Sequence, residues 1–160
     1  MSFLSVVILT YNQANMVTQC LNSLLSSKTD DVELVISDDH SPDNTVSVIK
    51  NWLDLHNNKF GAVVILDNKC NVGTVKNYIK AVEATHSPYI KVIAGDDWFM
   101  PGAIDIMRSF CEKNDFDIAF TSLNVAYQDN RGSVEISDEI VPASRVKGFF
   151  KMDPKDQFRQ

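Results

Sequence analysis

Two pairs of neighbouring carboxylates, Asp38-Asp39 and Asp96-Asp97, each follow a short run rich in Val and Ile. Adjacent acids repel each other unless donors surround them or a cation lies between them. Mg²⁺ and Mn²⁺ take carboxylate oxygens and keep positions open for water and substrate phosphates, so these residue types point to a divalent cation with a diphosphate ligand. Taken singly, Asp38 and Asp43 are equally ordinary as turn and helix-cap residues. Asp39 can accept from the imide N–H of a uracil, Thr10 can contact a base or ribose, and Asp96 can take a ribose hydroxyl. No GxGxxG follows the first apolar run and no GxxxxGK[ST] occurs, which argues against a dinucleotide oxidoreductase and a P-loop NTPase. His40, His56 and His86 lack metal-ligand spacing and read as turn or surface residues.

Elements of regular structure must bring these residues together. Leu4–Leu9, Val32–Ser37, Ala62–Leu66, Tyr89–Ala94 and Phe116–Thr121 read as strands, the first, third and fifth hardly alternating between polar and apolar, as in a parallel sheet covered on both faces. Between them lie helical patterns. Val17, Cys20, Leu21, Leu24 and Leu25 form one apolar stripe, Val46, Ile49, Trp52 and Leu53 a second, Val75, Tyr78, Ile79 and Val82 a third, and Ile104, Met107 and Cys111 a fourth. Pro101 can open the last helix, and Asp43 or Asn44 can cap the second. The alternation predicts an α/β, Rossmann-like, doubly wound and mainly parallel sheet. With strand order 3-2-1-4-5, the ends at Thr10, Asp38 and Gly95 become neighbours and four carboxylates face one crevice. Ligands of such sheets bind at that edge. After Ser122 the pattern changes, and Asn124–Tyr127 with Ser133–Ser137 predict a hairpin followed by an irregular stretch.

The chain has 160 residues, 44% hydrophobic and 22% charged, with a formal net charge of −6. That size and composition suit a globular domain whose core needs no metal or disulfide. The acidic balance argues against a nucleic-acid partner, because phosphate backbones repel it. Cys20, Cys70 and Cys111 are odd in number and lack CxxC spacing, which predicts reduced thiols and a cytoplasmic location; Cys20 and Cys111 fit core positions. No 18-residue apolar run occurs and the first ten residues lack a basic leader pattern, so neither a spanning helix nor a signal peptide is expected.

Four segments carry a resemblance. Ser5–Asn12, Ser37–Thr45, Asn71-Val72-Gly73 and Gly95–Gly102 resemble, in order and spacing, the successive signatures of family-two glycosyltransferases with the GT-A fold. The match spans residues 3 to about 122. The resemblance implies a nucleotide-sugar-binding domain over 1–122, with 123–160 the start of an acceptor-side region. It implies inverting transfer from a nucleotide-diphosphate sugar, UDP-sugar favoured, to a hydroxyl of a glycan or lipid-linked acceptor, in the setting of cell-envelope polysaccharide synthesis. Thr10, Tyr11, Asn12, Asp39, Lys76 and Asp96 then fall on the nucleotide sugar, and Asp97 is the metal-binding acid of a DXD-type motif, for Mn²⁺ or Mg²⁺. Asp38 supports its loop. Many members carry a further Asp where this chain has Ala94. The catalytic general base is expected beyond Gln160, since Asp138-Glu139 reads as a pair of solvated loop acids; the fragment alone is expected to transfer no sugar. Peripheral association with the cytoplasmic face of a membrane would use parts outside this sequence. Two other classes remain: a noncatalytic nucleotide-binding module, and a receiver-like Mg²⁺-binding signalling domain. The receiver reading needs a Lys ending the last strand, where this chain has Thr121-Ser122.

Overall fold

The computed structural model describes residues 2–114, 119, 121, 123–128 and 133–141, without the side chains of 128 and 138–141. The chain divides into two units, residues 1–114 and 115–160. In the first unit, β1 (Leu4–Thr10), α1 (Val17–Leu24), β2 (Val32–Asp38), α2 (Thr45–His56), β3 (Ala62–Asp67), α3 (Thr74–Glu83), β4 (Tyr89–Ala94) and α4 (Ala103–Lys113) alternate as the spacing predicts. A single 3₁₀ turn, Asn57–Lys59, follows α2. The four strands are parallel in the order β3-β2-β1-β4.

Strands β1 and β2 are buried on both faces, as the non-alternating sequence of β1 predicts; β3, expected to be covered likewise, exposes Ala62, Ile65 and Asp67 because it lies at the edge of the four. Val6, Ile8, Leu34 and Ile36 point into the larger core with Val17, Cys20, Leu21 and Leu24 of α1, Ile49, Trp52 and Leu53 of α2, and Ile104 of α4. Val7 and Val35 point the other way, onto Ala81 of α3. Arg108 ties α4 to the start of β2. Its guanidinium donates to both Asp31 oxygens at 2.6 and 3.2 Å, to Asp105 at 2.6 Å and to the Lys28 carbonyl at 2.9 Å.

At the amino-terminal edge of the sheet lies a buried acid, Glu33, 3% exposed. Its Oε2 accepts from the Ser5 hydroxyl and from the His86 backbone N–H at 2.8 Å, and its Oε1 lies 2.9 Å from His86 Nδ1. Burial pushes the Glu33 carboxyl up, yet the bonds from Ser5 and His86 outweigh it and hold the group below its ordinary value.

Some expectations change. The stripe assigned to the core side of α3 is inverted: Val75, Tyr78 and Ile79 are exposed, while Asn77 and Ala81 face the sheet. Small and amide side chains win that face because the helix lies close to β1 and β2 and because Asn77 bonds to Ser37. Pro101 stands in the turn before α4, whose N-cap is Gly102 at φ 75°, so proline ends the preceding loop instead of opening the helix. The fifth strand, Phe116–Thr121, and the expected boundary after Ser122 fall largely outside the described residues.

In the second unit, β5 (Leu123–Gln128) and β6 (Val134–Val141) pair antiparallel, confirming the hairpin with a longer second strand. Asp138 and Glu139 therefore lie in strand β6, not in a loop. No helix among the described residues is long and apolar enough to cross a membrane.

Candidate functional site

The register aligns Thr10 with Asp38, Asp38 with Asp67, and Leu9 with Ala94, so the carboxyl ends of all four strands form one edge. Thr10, Asp38-Asp39 and Gly95-Asp96-Asp97 meet there because β1 lies between β2 and β4. The acids do not form one cluster, however. Asp38 turns into its own loop, accepting from the Thr10 hydroxyl at 2.8 Å, the Ser41 N–H at 2.8 Å and the Ser41 hydroxyl at 2.6 Å. Asp39, 4% exposed, is tied to the β3–α3 loop. Its Oδ1 accepts from the Val72 N–H at 2.7 Å and the Asn68 amide at 3.4 Å, and its Oδ2 from the Gly73 N–H at 2.8 Å. A carboxylate has about four lone-pair positions, so one, on Oδ2, is left for a ligand. The expected crevice of four carboxylates thus reduces to the exposed pair Asp96-Asp97.

Two positions explain why the edge holds its shape. Gly73, whose own N–H is one of the two amides that grip Asp39, caps α3 at φ 86°, a conformation that side chains with a Cβ resist. Gly95 lies so near Thr10 and Gln13 that a Cβ there would come within 2.7 Å of Thr10 Cγ2 and 2.5 Å of Gln13 Oε1. Asn12 and His40 follow β1 and β2 in the left-handed region, at φ 57° and 63°. Asn12 donates its N–H to the Ser41 hydroxyl at 2.8 Å, and Asp43 takes the N–H groups of Ala14 and Thr45 at 3.0 Å, joining both loops at the start of α2. Tyr11 is 49% exposed at the rim. Lys76 is exposed on the first turn of α3.

Asp97 carries the electrostatic signature of the pair. Burial and the neighbouring Asp96 push its carboxyl up, while Lys91 pulls it down. Behind the pair, burial together with Asp97 and Asp96 pushes the Cys20 thiol up to about 12, and its Sγ lies 3.7 Å from the Ala94 carbonyl. Phe99 is the buried anchor of the following loop, its N–H bonded to the Ser23 hydroxyl at 3.0 Å. No group of three or more metal-ligating His, Cys, Asp or Glu occurs among the described residues. A Mg²⁺ or Mn²⁺ ion needs only one or two carboxylates when water and substrate phosphates complete its shell, so two mutually repelling acids with exposed oxygens fit such an ion.

Sequence reasoning missed two residues. Asn68 and Asn77, both buried, bind each other and support Asp39. The signal was an amide at the one α3 position four residues before Ala81, on the face that packs.

The family model described as glycosyl transferase family 2 matches residues 5–158. The chain belongs to that family. An uncharacterized glycosyltransferase of Mycoplasma genitalium is 34% identical over 116 residues, covering 71% of this chain and 39% of the relative. A poly(ribitol-phosphate) beta-glucosyltransferase of Bacillus spizizenii is 26% identical over 125 residues, covering 75% and 19%. Among solved structures, S. aureus TarS 1–349 in complex with UDP-GlcNAc superposes with a TM-score of 0.62 at 23% identity, over 69% of this chain and 31% of TarS. The mannosyltransferase PcManGT of Pyrobaculum calidifontis, in complex with GDP-Man and Mn²⁺, superposes with a TM-score of 0.60 at 19% identity, over 67% and 31%. The fold of this family-two chain is GT-A, and the chain spans about two-fifths or less of these relatives.

Proposed function

We propose that this chain forms the donor side of an inverting glycosyltransferase, binding a nucleotide-diphosphate sugar whose sugar passes to a hydroxyl of a glycan or lipid-linked acceptor. The observation that carries the reading is the pairing of one remaining acceptor on buried Asp39 with the exposed Asp96-Asp97 pair along the same strand edge. One acceptor suits one imide N–H, which favours uracil; cytosine offers no hydrogen at that ring nitrogen. Tyr11 gives the base an aromatic face. Thr10 closes the floor, its oxygen still able to accept although its hydrogen is committed to Asp38. Asp96 takes a ribose hydroxyl, Asn12 and Lys76 border the diphosphate, and Asp97 is the ligand for Mn²⁺ or Mg²⁺. A divalent cation held there neutralises charge on the departing nucleoside diphosphate. Asp38 is spent on its loop, Asp39 on the β3–α3 loop and the base, Asp96 on ribose and Asp97 on the cation, so none of these four takes the acceptor's proton. The 160-residue chain alone is expected to transfer no sugar.

Calorimetry tests the reading. UDP should bind the 160-residue chain in Mn²⁺ and at least about tenfold more weakly in chelator or in Asp97→Asn, the loss expected for a charge-assisted contact. Equal affinity with and without Mn²⁺ would refute the role of Asp97. No UDP binding in either condition would refute the donor-side reading.

A further inference from the structure

We propose that Lys80, on the outer flank of α3, is a positioning residue for nucleobase recognition that acts through the Asn68 amide on Asp39. The inference rests on the reading that Asp39 meets the base. Lys80 Nζ donates to Asn68 Oδ1 at 2.9 Å. An ammonium has only donors, so the amide oxygen must face it and the amide nitrogen must face inward. That nitrogen donates to Asn77 Oδ1 at 2.9 Å and toward Asp39 Oδ1 at 3.4 Å. Asn77 cannot turn to accommodate a flipped neighbour, because its Oδ1 accepts from the Ser37 hydroxyl at 2.6 Å and its Nδ2 donates to the Ser37 carbonyl at 3.0 Å.

Reversal of the Asn68 amide would set its oxygen against two other acceptors, Asp39 Oδ1 and Asn77 Oδ1, in a buried site. Such unpaired contacts are costly where water cannot intervene. The backbone of Asn68 is committed as well, its N–H to the Asp38 carbonyl at 3.1 Å and its carbonyl to His40 Nδ1 at 3.2 Å. An exposed cation thereby holds the outer end of a buried amide whose sense Asp39 and Asn77 also demand. That amide and the Val72 N–H load Oδ1 of Asp39, which turns the remaining acceptor on Oδ2 outward as the atom available to an imide hydrogen. Lys80 should consequently govern the preference for uracil over cytosine without itself touching the ligand.

The experiment measures affinities of the 160-residue chain for UDP, CDP and inorganic pyrophosphate, with a thermal melt as the folding control. Lys80→Met should weaken UDP about fivefold, the loss of roughly one hydrogen bond, and leave CDP and pyrophosphate unchanged. Lys80→Arg should restore the UDP preference, and in an Asp39→Asn background Lys80→Met should have no further effect. Equal weakening of all three ligands would overturn the proposal in favour of a direct phosphate contact. An unchanged UDP to CDP ratio in Lys80→Met, while Asp39→Asn abolishes it, would overturn the relay alone. An unchanged ratio in Asp39→Asn would overturn the underlying reading and the relay with it.

Discussion

Replacing Glu33 by Gln is the sharpest test of the forces that hold the sheet. The carboxylate is buried and serves three donors: the Ser5 hydroxyl, the His86 backbone N–H and the His86 ring. The ring is 80% exposed, so its ion pair is screened and contributes little. The other two bonds are charge-assisted. Converting each to a neutral bond costs about 1 kcal/mol, and relief of the buried charge returns part of it, which leaves a net loss of about 1–2 kcal/mol at pH 7. For a chain of this size that lowers the melting temperature by about 3–6 °C. The pH dependence has a definite sign. The folded-state value of Glu33 lies below its ordinary 4.5, so the unfolded chain binds the proton more readily. Its contribution is complete above the ordinary value and is lost as pH falls through the depressed folded value. Melts from pH 7 to pH 3 should show the wild-type curve converging on that of Glu33→Gln in acid. A constant gap at every pH, or a Gln variant more stable than wild type at pH 7, would refute the argument.

Gly95→Ala should cost about 1–3 kcal/mol in urea denaturation and weaken UDP, because the new methyl meets Thr10 and Gln13; an unchanged midpoint would mean that both side chains yield freely. Arg108→Met should lose about 2 kcal/mol and speed proteolysis around α4, since it breaks the fork on Asp31; resistance equal to wild type would refute the tie. On α3, Ile79→Gln should change stability by less than about 0.5 kcal/mol, whereas Ala81→Leu should cost about 1–3 kcal/mol, and denaturation midpoints in the reverse order would put the wrong face against the sheet. Asp97→Asn should melt no lower than wild type, because it relieves repulsion from Asp96; a sharp drop would mark the carboxylate as structural.

The first four strands and the hairpin were legible because Val- and Ile-rich runs have few alternatives once glycine and polar turns bound them. Parallel topology alone left more than one strand order open; the order supposed for the first four strands is the one observed, and with it Thr10, Asp38 and Gly95 meet. The orientation of α3 was not legible. Hydrophobicity favoured Val75, Tyr78 and Ile79, but a helix lying close to a sheet selects small side chains, and Ala81 with hydrogen-bonded Asn77 meets that demand. The fate of individual carboxylates was hidden for a related reason. Sequence places acids at a strand end, whereas backbone N–H groups from a loop some thirty residues away decide that Asp39 is gripped. Asn68 escaped notice because a polar residue after a strand looks like any other turn former until its partners are known.

The three thiols differ enough to make the protein optically addressable. Cys20 is sealed beneath the acidic loop with its proton held to about pH 12, so maleimides and iodoacetamides should pass it by at neutral pH. Cys111 is half covered on α4, and burial raises it too. Cys70 is exposed, two residues before Val72 in the loop that Asp39 grips. A fluorophore attached there in a Cys111→Ser background would sit on the segment whose backbone amides hold Asp39, the acid proposed to meet the base. On the proposed reading its emission should follow UDP binding in real time, without radioactive donor or coupled enzymes.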